Sequence, residues 1–179
     1  HGIEDRILGE MSPYMISYTQ KEAGFVSTIE ENVLYVKLED LTYGMCNKLR
    51  RSKVIQGKEE TILADTGAKM MSKLHQMYSG TVIFESGKAQ VLDWSKAEYI
   101  ARKFYDQKIA IFYKFKAELS ALLGVYPKAR ITTDLEEFAS DPKKSIALQI
   151  VSGREGISLK DTEHIVYYNI DFSATSYWQ

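Results

Sequence analysis

The sequence predicts an α/β protein, with a parallel sheet flanked by helices in the C-terminal half and a helical and β-hairpin segment before it. Three short, mainly apolar runs, 108–113, 145–151 and 164–169, are typical of strands buried on both faces. The stretches between these runs have apolar residues at helical spacing. Strands that alternate with helices in this way favour a parallel sheet that is covered on both faces.

The helices of the C-terminal half are indicated by their spacing and by their ends. In 96–105, apolar residues recur at helical spacing, and Ser95 with Glu98 forms a capping box that would satisfy main-chain amides at the helix start. A second helix, 115–123, is expected to stop at Gly124, because glycine is common just past helix C-termini.

The first half of the chain is less regular. We interpret 32–38 as a strand, and 40–53 and 61–78 as helices. Residues 86–88 are expected to form the three-residue loop of a hairpin whose strands lie within 81–93.

The domain boundary is placed near residue 95, where this pattern changes. Residues 1–95 would form the helical and hairpin segment, and residues 96–179 the α/β unit. No internal repeat or flexible linker interrupts either part.

Composition limits the classes of protein and of site. With a formal net charge of −1, bulk charge does not indicate nucleic-acid binding, which would need a local patch. One cysteine and three scattered histidines argue against a disulfide framework, a cysteine zinc site or a histidine-rich metal cage. No stretch approaches the roughly 20 apolar residues of a membrane span, and no signal-peptide pattern opens the chain. We therefore expect a cytoplasmic protein with no membrane partner.

The motifs of self-contained catalysis are missing from the sequence. There is no phosphate-binding loop of the form G-x-x-x-x-G-K-[ST] and no G-x-S-x-G nucleophile turn. Cys46 is expected to be a small buried side chain, and His75 and His164 are expected to be packed or solvated rather than catalytic.

A compact basic run lies at 48–53. It contains four cations, Lys48, Arg50, Arg51 and Lys53. Such a run could contact the phosphates of a nucleic acid, with a salt-dependent affinity. The alternative interpretation is a solvated helix face.

A glycine-containing polar loop follows the predicted strand at 145–151. Gly153 and Gly156 would let its backbone approach a ligand closely or adopt a positive φ. In open α/β sheets, ligands bind at the carboxyl ends of the strands, where this loop would lie. Such a loop can equally be structural.

Three segments of the second half follow one another in a known pattern: a strand at 108–115, the loop at 149–159 and a strand at 165–172. The pattern resembles motif IV, motif V and the next strand of the C-terminal RecA-like lobe of superfamily-two helicases, nearest to Swi/Snf-like translocases of phage or bacterial type. In that family the last strand ends in an aromatic residue, and a glutamine follows seven positions later. Phe172 and Gln179 keep this spacing. The first half matches only in outline.

The resemblance implies a RecA-like parallel sheet and assigns roles to individual residues. In the family, motif V couples the ATP site, in the cleft between two lobes, to the nucleic-acid backbone. The positions that correspond to this loop are Ser152, Gly153, Arg154 and Gly156, with Arg154 standing where glycine is common. Tyr113 and Lys114, at the end of the motif IV strand, would face nucleic acid or the cleft. Gln179 would be the first residue of motif VI.

The resemblance also implies that this chain is a fragment. The family's arginine fingers lie about four and seven residues past the motif VI glutamine, and such a finger is worth about a thousandfold or more in rate. The phosphate-binding loop and the magnesium-binding acids belong to an N-terminal RecA-like lobe. The parent protein would therefore hydrolyse ATP with Mg²⁺ as it acts on a nucleic acid, most simply DNA. The fragment alone would bind no cofactor and would be inactive as an ATPase. The alternative is a non-enzymatic α/β interaction or assembly protein with the same layout.

Overall fold

The computed structural model describes Arg6 and residues 30–150 and 157–170. The chain divides into two units, His1–Tyr35 and Val36–Gln179. All helices and strands below belong to the second unit, and the boundary near residue 95 stays a prediction. No helix in the described ranges is both long and apolar enough to cross a membrane.

The second unit contains five helices and eight strands within the described ranges. The helices are α1 (Asp40–Ser52), α2 (Gly67–Tyr78), α3 (Ser95–Lys103), α4 (Lys116–Val125) and α5 (Leu135–Ser140). The strands are β1 (Val54–Gln56), β2 (Thr61–Leu63), β3 (Thr81–Ile83), β4 (Ala89–Val91), β5 (Ile109–Tyr113), β6 (Ile131–Thr132), β7 (Ser145–Gln149) and β8 (His164–Tyr167).

The last four strands form one parallel sheet in the order β6-β7-β5-β8. Ile111, in the middle of β5, pairs with Ala147 of β7 and with Val166 of β8. The structure therefore confirms an α/β fold with a parallel sheet flanked by helices.

Both faces of this sheet are covered along β5, whereas β8 is largely exposed. Ile109, Ile111 and Tyr113 alternate along β5 and pack on the side of α3 and α4, which we call face A. The residues between them, Ala110 and Phe112, pack on the opposite side, face B, which holds Phe138 of α5 and the segment 157–159. Burial on both faces explains why β5 is apolar along its whole length.

A buried lysine fixes the position of α5. The Lys108 ammonium donates hydrogen bonds to the carbonyl oxygens of Phe138 (2.6 Å) and Asp141 (2.9 Å) and lies 4.1 Å from the centroid of the Phe138 ring. The last carbonyls of a helix carry partial negative charge, so a cation is favourable there. This contact anchors the C-terminus of α5 next to the start of β5.

The segment before α3 builds a second core. Cys46 and Leu49 of α1 and Met77 of α2 pack there with two hairpins, β1-β2 and β3-β4.

The predicted helix 40–53 is confirmed within one residue. The strand predicted over 32–38 was wrong, because these residues have no regular structure. The single helix predicted over 61–78 was also wrong, because residues 61–63 form strand β2 and the helix α2 begins only at Gly67.

The hairpin predicted within 81–93 is confirmed, with its loop shifted by one residue. Phe84 donates its amide to the Lys88 carbonyl (2.9 Å), which closes a loop of residues 85–87 rather than 86–88. Gly87 adopts a φ of +85°, as the turn requires.

Asp93 joins the hairpin segment to the α/β unit. Its fully buried carboxylate accepts hydrogen bonds from the Glu39 amide (2.8 Å) and the Thr42 hydroxyl (2.7 Å) at the start of α1, and from the Ser95 amide (2.9 Å) at the start of α3. The predicted Ser95–Glu98 capping box was therefore wrong: Asp93, two residues before Ser95, satisfies the first amide of α3.

Gly124 lies inside α4 rather than ending it. A Cβ at this position would come within 2.5 Å of Cζ3 of the Trp94 indole. The glycine thus provides the space that Trp94 needs against the helix, and the prediction that α4 stops there was wrong.

We predict that Gly80→Ala is far more destabilising than Gly87→Ala. Both glycines have a positive φ, +82° and +85°, so each alanine carries a left-handed backbone cost of about 1 kcal/mol. Only at Gly80 would the new Cβ overlap the Asp93 carbonyl oxygen; Gly87 has nothing within 4 Å. Urea unfolding should show a loss of about 3 kcal/mol or more for Gly80→Ala. Equal losses in the two variants would contradict this steric argument.

We predict that Asp93→Asn costs about 2 kcal/mol at pH 7, because hydrogen bonds to a charged acceptor are lost. Burial raises the pKa of the Asp93 carboxyl, but hydrogen bonds from Ser95, Thr42 and Glu39 lower it more, so its net pKa is below the ordinary value. This stabilisation is complete above the unfolded pKa of about 3.9 and is lost as pH falls through the lower folded pKa. Urea unfolding at several pH values should show the difference between wild type and Asp93→Asn shrinking in acid. The exposed Asp161→Asn serves as the control, and a difference that does not depend on pH would contradict the prediction.

Candidate functional site

The topology of the sheet predicts a crevice at its carboxyl edge, between β5 and β7. After β5 the chain enters α4, which packs on face A, whereas after β7 the chain crosses face B, where Ile157 and Leu159 pack. Connections that diverge from neighbouring strands leave a crevice at the strand ends, and this is where ligands bind in open α/β sheets. The end of β5 and the start of the loop at 149–159 flank it.

Two hydrogen bonds join the walls of the crevice. The Ile150 amide donates to the Tyr113 carbonyl (2.8 Å), and the Gln149 side-chain amide donates to the Lys114 carbonyl (3.2 Å). The ends of β5 and β7 are therefore fixed to each other up to the point where the loop 151–156 begins. This loop lies outside the described residues.

A buried carboxylate holds the turn that follows β5. Glu118 has no exposed surface, and its Oε2 accepts hydrogen bonds from the amides of Lys114 (2.7 Å) and Phe115 (2.9 Å). Glu118 is the third residue of α4, from which a glutamate reaches back to the residue that precedes the helix. The first turn of α4 and the end of β5 are thus tied together.

The same carboxylate is linked to the end of β8 and to α2. The Asn169 side-chain amide donates to Glu118 Oε1 (2.7 Å), and its Oδ1 lies 2.5 Å from Nε2 of His75. Because the amide nitrogen of Asn169 faces Glu118, its oxygen faces His75, and Nε2 of the imidazole is the donor. We call Glu118, Asn169 and His75 the edge network.

Lys96 and Tyr168 complete the packing beside this network. The Lys96 ammonium donates to the Tyr168 carbonyl (3.3 Å), and the Tyr168 hydroxyl donates to the Ser79 carbonyl (3.2 Å). Burial lowers the pKa of Lys96, and the negative charge of Glu118 opposes this effect. Burial, followed by the charges of Glu118 and Asp93, raises the pKa of Tyr168. These groups place one amine with a weakened proton affinity near the carboxyl edge.

The structure places the predicted site residues in three different settings. Tyr113 packs into the core on face A, and burial raises the pKa of its hydroxyl. Because the ring is buried, it is not positioned for direct contact with nucleic acid. Lys114 is half-buried, and its ammonium lies 5.5 Å from the centroid of the Phe115 ring. The remaining predicted residues, Ser152, Gly153, Arg154, Gly156 and Gln179, lie outside the described residues.

The basic run lies on the last turn of α1 and just beyond it. All four of its cations are exposed, while Leu49 between them is fully buried. Arg50 lies 5.5 Å from the centroid of the Tyr78 ring on α2, and Lys53 ends the helix with a φ of 60°. The run is therefore a solvated face at a helix C-terminus, and it is open to an anionic partner.

The described residues do not by themselves fit Mg²⁺. No group of three histidine, cysteine, aspartate or glutamate side chains that could hold a metal occurs in residues 30–150 and 157–170. At the carboxyl edge, Glu118 uses both of its oxygens in hydrogen bonds to protein donors. A magnesium nucleotide would need its metal ligands from elsewhere.

The structure defines an α/β protein with a four-stranded parallel sheet, whose topology predicts a ligand crevice at its carboxyl edge. A scan against protein-family models gave no match, and searches of curated proteins and of solved structures gave no significant match either.

The edge network was missed by the sequence interpretation. His75 was predicted to be packed or solvated, and neither Glu118 nor Asn169 was singled out. One local signal was present: a glutamate three residues after Phe115, at the start of a helix that follows a strand. Asn169 lies 51 residues from Glu118 and 94 residues from His75 along the chain, so no local pattern contains the three together.

We predict that Asn169→Leu costs about 3 kcal/mol, because it removes a donor to the buried Glu118 carboxylate while keeping a similar volume. Chemical denaturation monitored by circular dichroism measures this change. Asn47→Leu, at an exposed position of α1, is the matched control and should change stability by less than about 0.5 kcal/mol. If the two variants have the same stability, the edge network does not stabilise the fold.

Proposed function

We propose that this chain supplies the second lobe of an ATP-dependent nucleic-acid translocase of the superfamily-two, Swi/Snf-like kind. One observation carries the proposal: the two segments that resemble motif IV and motif V come together at the ends of β5 and β7, where the sheet topology predicts a crevice. In open α/β sheets such a crevice is where ligands bind. The sequence resemblance and the topology thus favour the same place.

The residues of this chain would form one wall of an interlobe site. Lys114 and Gln149, at the ends of β5 and β7, would line this wall. The loop 151–156 would extend the wall toward the nucleotide and the nucleic acid. The edge network would keep the wall rigid, because Glu118 binds the Lys114 amide directly. A rigid wall suits a lobe that moves as a body when the cleft opens and closes.

A bound magnesium nucleotide would supply the phosphoryl group whose transfer drives the motion. Its phosphate and metal ligands would come from an N-terminal RecA-like lobe, since the described residues offer no metal site. The proposed partners are therefore that lobe and a nucleic acid, most simply DNA.

The basic run would provide a second contact with nucleic acid. It is exposed, and its alternative role as a solvated helix face does not conflict with phosphate binding. Phosphate contacts would position the backbone without reading sequence.

The alternative is a non-enzymatic interaction protein with this layout. One observation favours it: the polar side chains Glu118 and Asn169 at the carboxyl edge hydrogen-bond one another rather than facing solvent. Fold alone does not decide between the two.

We predict that the purified chain alone releases no phosphate from ATP above background, with or without DNA, because the transferred group would lack its metal ligands and an arginine finger. A coupled phosphate assay measures this, with Gln149→Ala run in parallel to recognise a contaminating ATPase. DNA-stimulated hydrolysis that Gln149→Ala abolishes would contradict the fragment proposal.

We predict that the chain binds single-stranded DNA weakly and in a salt-sensitive manner. Replacing the four cations of the basic run by glutamine should lower affinity and reduce the slope of log K against log salt by up to about 3, because each phosphate contact adds about 0.7. Fluorescence anisotropy at several salt concentrations measures both quantities.

The matched control replaces four exposed lysines elsewhere by glutamine, namely Lys58, Lys128, Lys143 and Lys160. This control changes the net charge equally and should retain most of the salt slope. Binding that ignores salt, or that both quadruple variants weaken equally, would count against a specific role for the basic run. In either case, DNA-induced shifts of the Lys114 and Gln149 amide resonances would test the crevice separately.

A further inference from the structure

The basic run at 48–53 carries positive charge that the described residues do not balance. Elsewhere in the described ranges, carboxylates form ion pairs with six cations, namely Lys37, Lys69, Lys73, Lys88, Arg130 and Lys144. No carboxylate of these ranges forms an ion pair with any of the four cations of the run. Their charge is therefore available to an anionic partner.

The helix end that carries the run is completed by other groups. Lys53 donates its main-chain amide to the Leu49 carbonyl (2.8 Å), and the Ser52 hydroxyl donates to the Lys48 carbonyl (2.8 Å). Within the described part of the chain, the charged ends of the four cations make no hydrogen bond. They favour this helix end through the helix dipole alone, so their side chains are free to turn toward a ligand.

Arg50 differs from the other three cations because it lies over a ring. Its Cζ is 5.5 Å from the centroid of the Tyr78 ring, which is within the range of a cation–π contact. Tyr78 is half-buried, and its ring centroid lies 6.4 Å from that of Tyr43 on α1. Arg50 itself is exposed, so the side of the guanidinium that faces away from the ring is open to solvent. Two neighbouring rings therefore support one planar cation at the surface.

An exposed guanidinium with this support can stack on the base of a nucleic acid. Proteins that bind single strands combine cations that contact the phosphates with aromatic or guanidinium planes on which bases stack. The bases of a duplex already stack on one another, so a duplex cannot use such a plane without being opened. Arg50 over Tyr78, together with three neighbouring cations that have no ion-pair partner in the described ranges, thus favours a single strand.

We propose that the basic run binds a single-stranded nucleic acid, with one base stacked on the Arg50 guanidinium and the adjacent phosphates on Lys48, Arg51 and Lys53. This inference rests on the nucleic-acid contact of the proposed function and narrows it to one class of strand. The contact requires neither ATP nor a second lobe, so the chain alone makes it.

Fluorescence anisotropy of the whole chain with three labelled probes tests the stacking contact. The probes are a short oligothymidylate, a strand of the same length that lacks bases, and a duplex of that length. The oligothymidylate should bind more tightly than the abasic strand by about fivefold or more, which is the lower end of what one stacked base contributes. It should also bind more tightly than the duplex.

Two charge-conserving variants separate stacking from phosphate contact. Arg50→Lys keeps the charge but removes the plane, so it should weaken binding of the oligothymidylate by about threefold or more and leave binding of the abasic strand unchanged. Arg51→Lys is the matched control, because Arg51 is also an exposed arginine of α1 but has no ring contact within the described residues. It should change neither affinity.

The stacking proposal is overturned by equal affinities for the oligothymidylate and the abasic strand, by tighter binding of the duplex, or by equal effects of the two lysine variants. If replacing all four cations by glutamine still lowers affinity in those cases, the phosphate contact of the proposed function stands without stacking. If none of the three probes binds but vesicles that contain phosphatidylserine do, the run faces an anionic lipid surface, and both the stacking and the nucleic-acid contact are rejected.

Discussion

The structure depends on one buried carboxylate. Glu118 has no exposed surface, and it binds the main-chain amides that follow β5 and the side chain of Asn169 that follows β8. Burying a carboxylate is costly unless donors replace its water, and here two backbone amides and a side-chain amide do so. The ends of two neighbouring strands are therefore fixed by one side chain, and the carboxyl edge of the sheet has a defined shape.

This carboxylate also connects the segment before α3 to the sheet. Through Asn169 it reaches His75 of α2, in the segment that precedes the sheet. Asp93 makes a second connection by capping the starts of α1 and α3. Two buried acids, rather than a large apolar interface alone, thus join the hairpin segment to the sheet, and their directional hydrogen bonds specify how the two parts fit.

Most of the fold could be predicted from local pattern. Strands buried on both faces are apolar along their length, so β5 and β7 were found at nearly their correct positions. β8 was also found, but three of its four residues are exposed, so the burial predicted for it was wrong. Predictions failed where a distant residue decided the local structure. Thr61–Leu63 is a strand because Val54–Gln56 pairs with it, and Gly124 lies within a helix at a position where a side chain would clash with Trp94. Neither partner is visible in the short windows from which the helices were predicted.

The candidate site was predicted less completely than the fold. Topology brings the predicted Lys114 to the crevice, because carboxyl ends of parallel strands share one edge. Tyr113 was expected to face a ligand, but strand alternation turns it into the core. Glu118 and Asn169 could not be identified as partners from the sequence, since 51 residues separate them along the chain. The loop 151–156, on which the motif V resemblance depends, lies outside the described residues.

The packing of Trp94 against Gly124 has an optical consequence. The indole is 40% exposed and lies against Gly124, which has no side chain to shield it. The sequence contains two tryptophans, so a chain with Trp178→Phe would emit from this indole alone. Its emission wavelength would report the contact between the start of α3 and the end of α4. A shift of either helix would therefore change the wavelength of the intrinsic fluorescence.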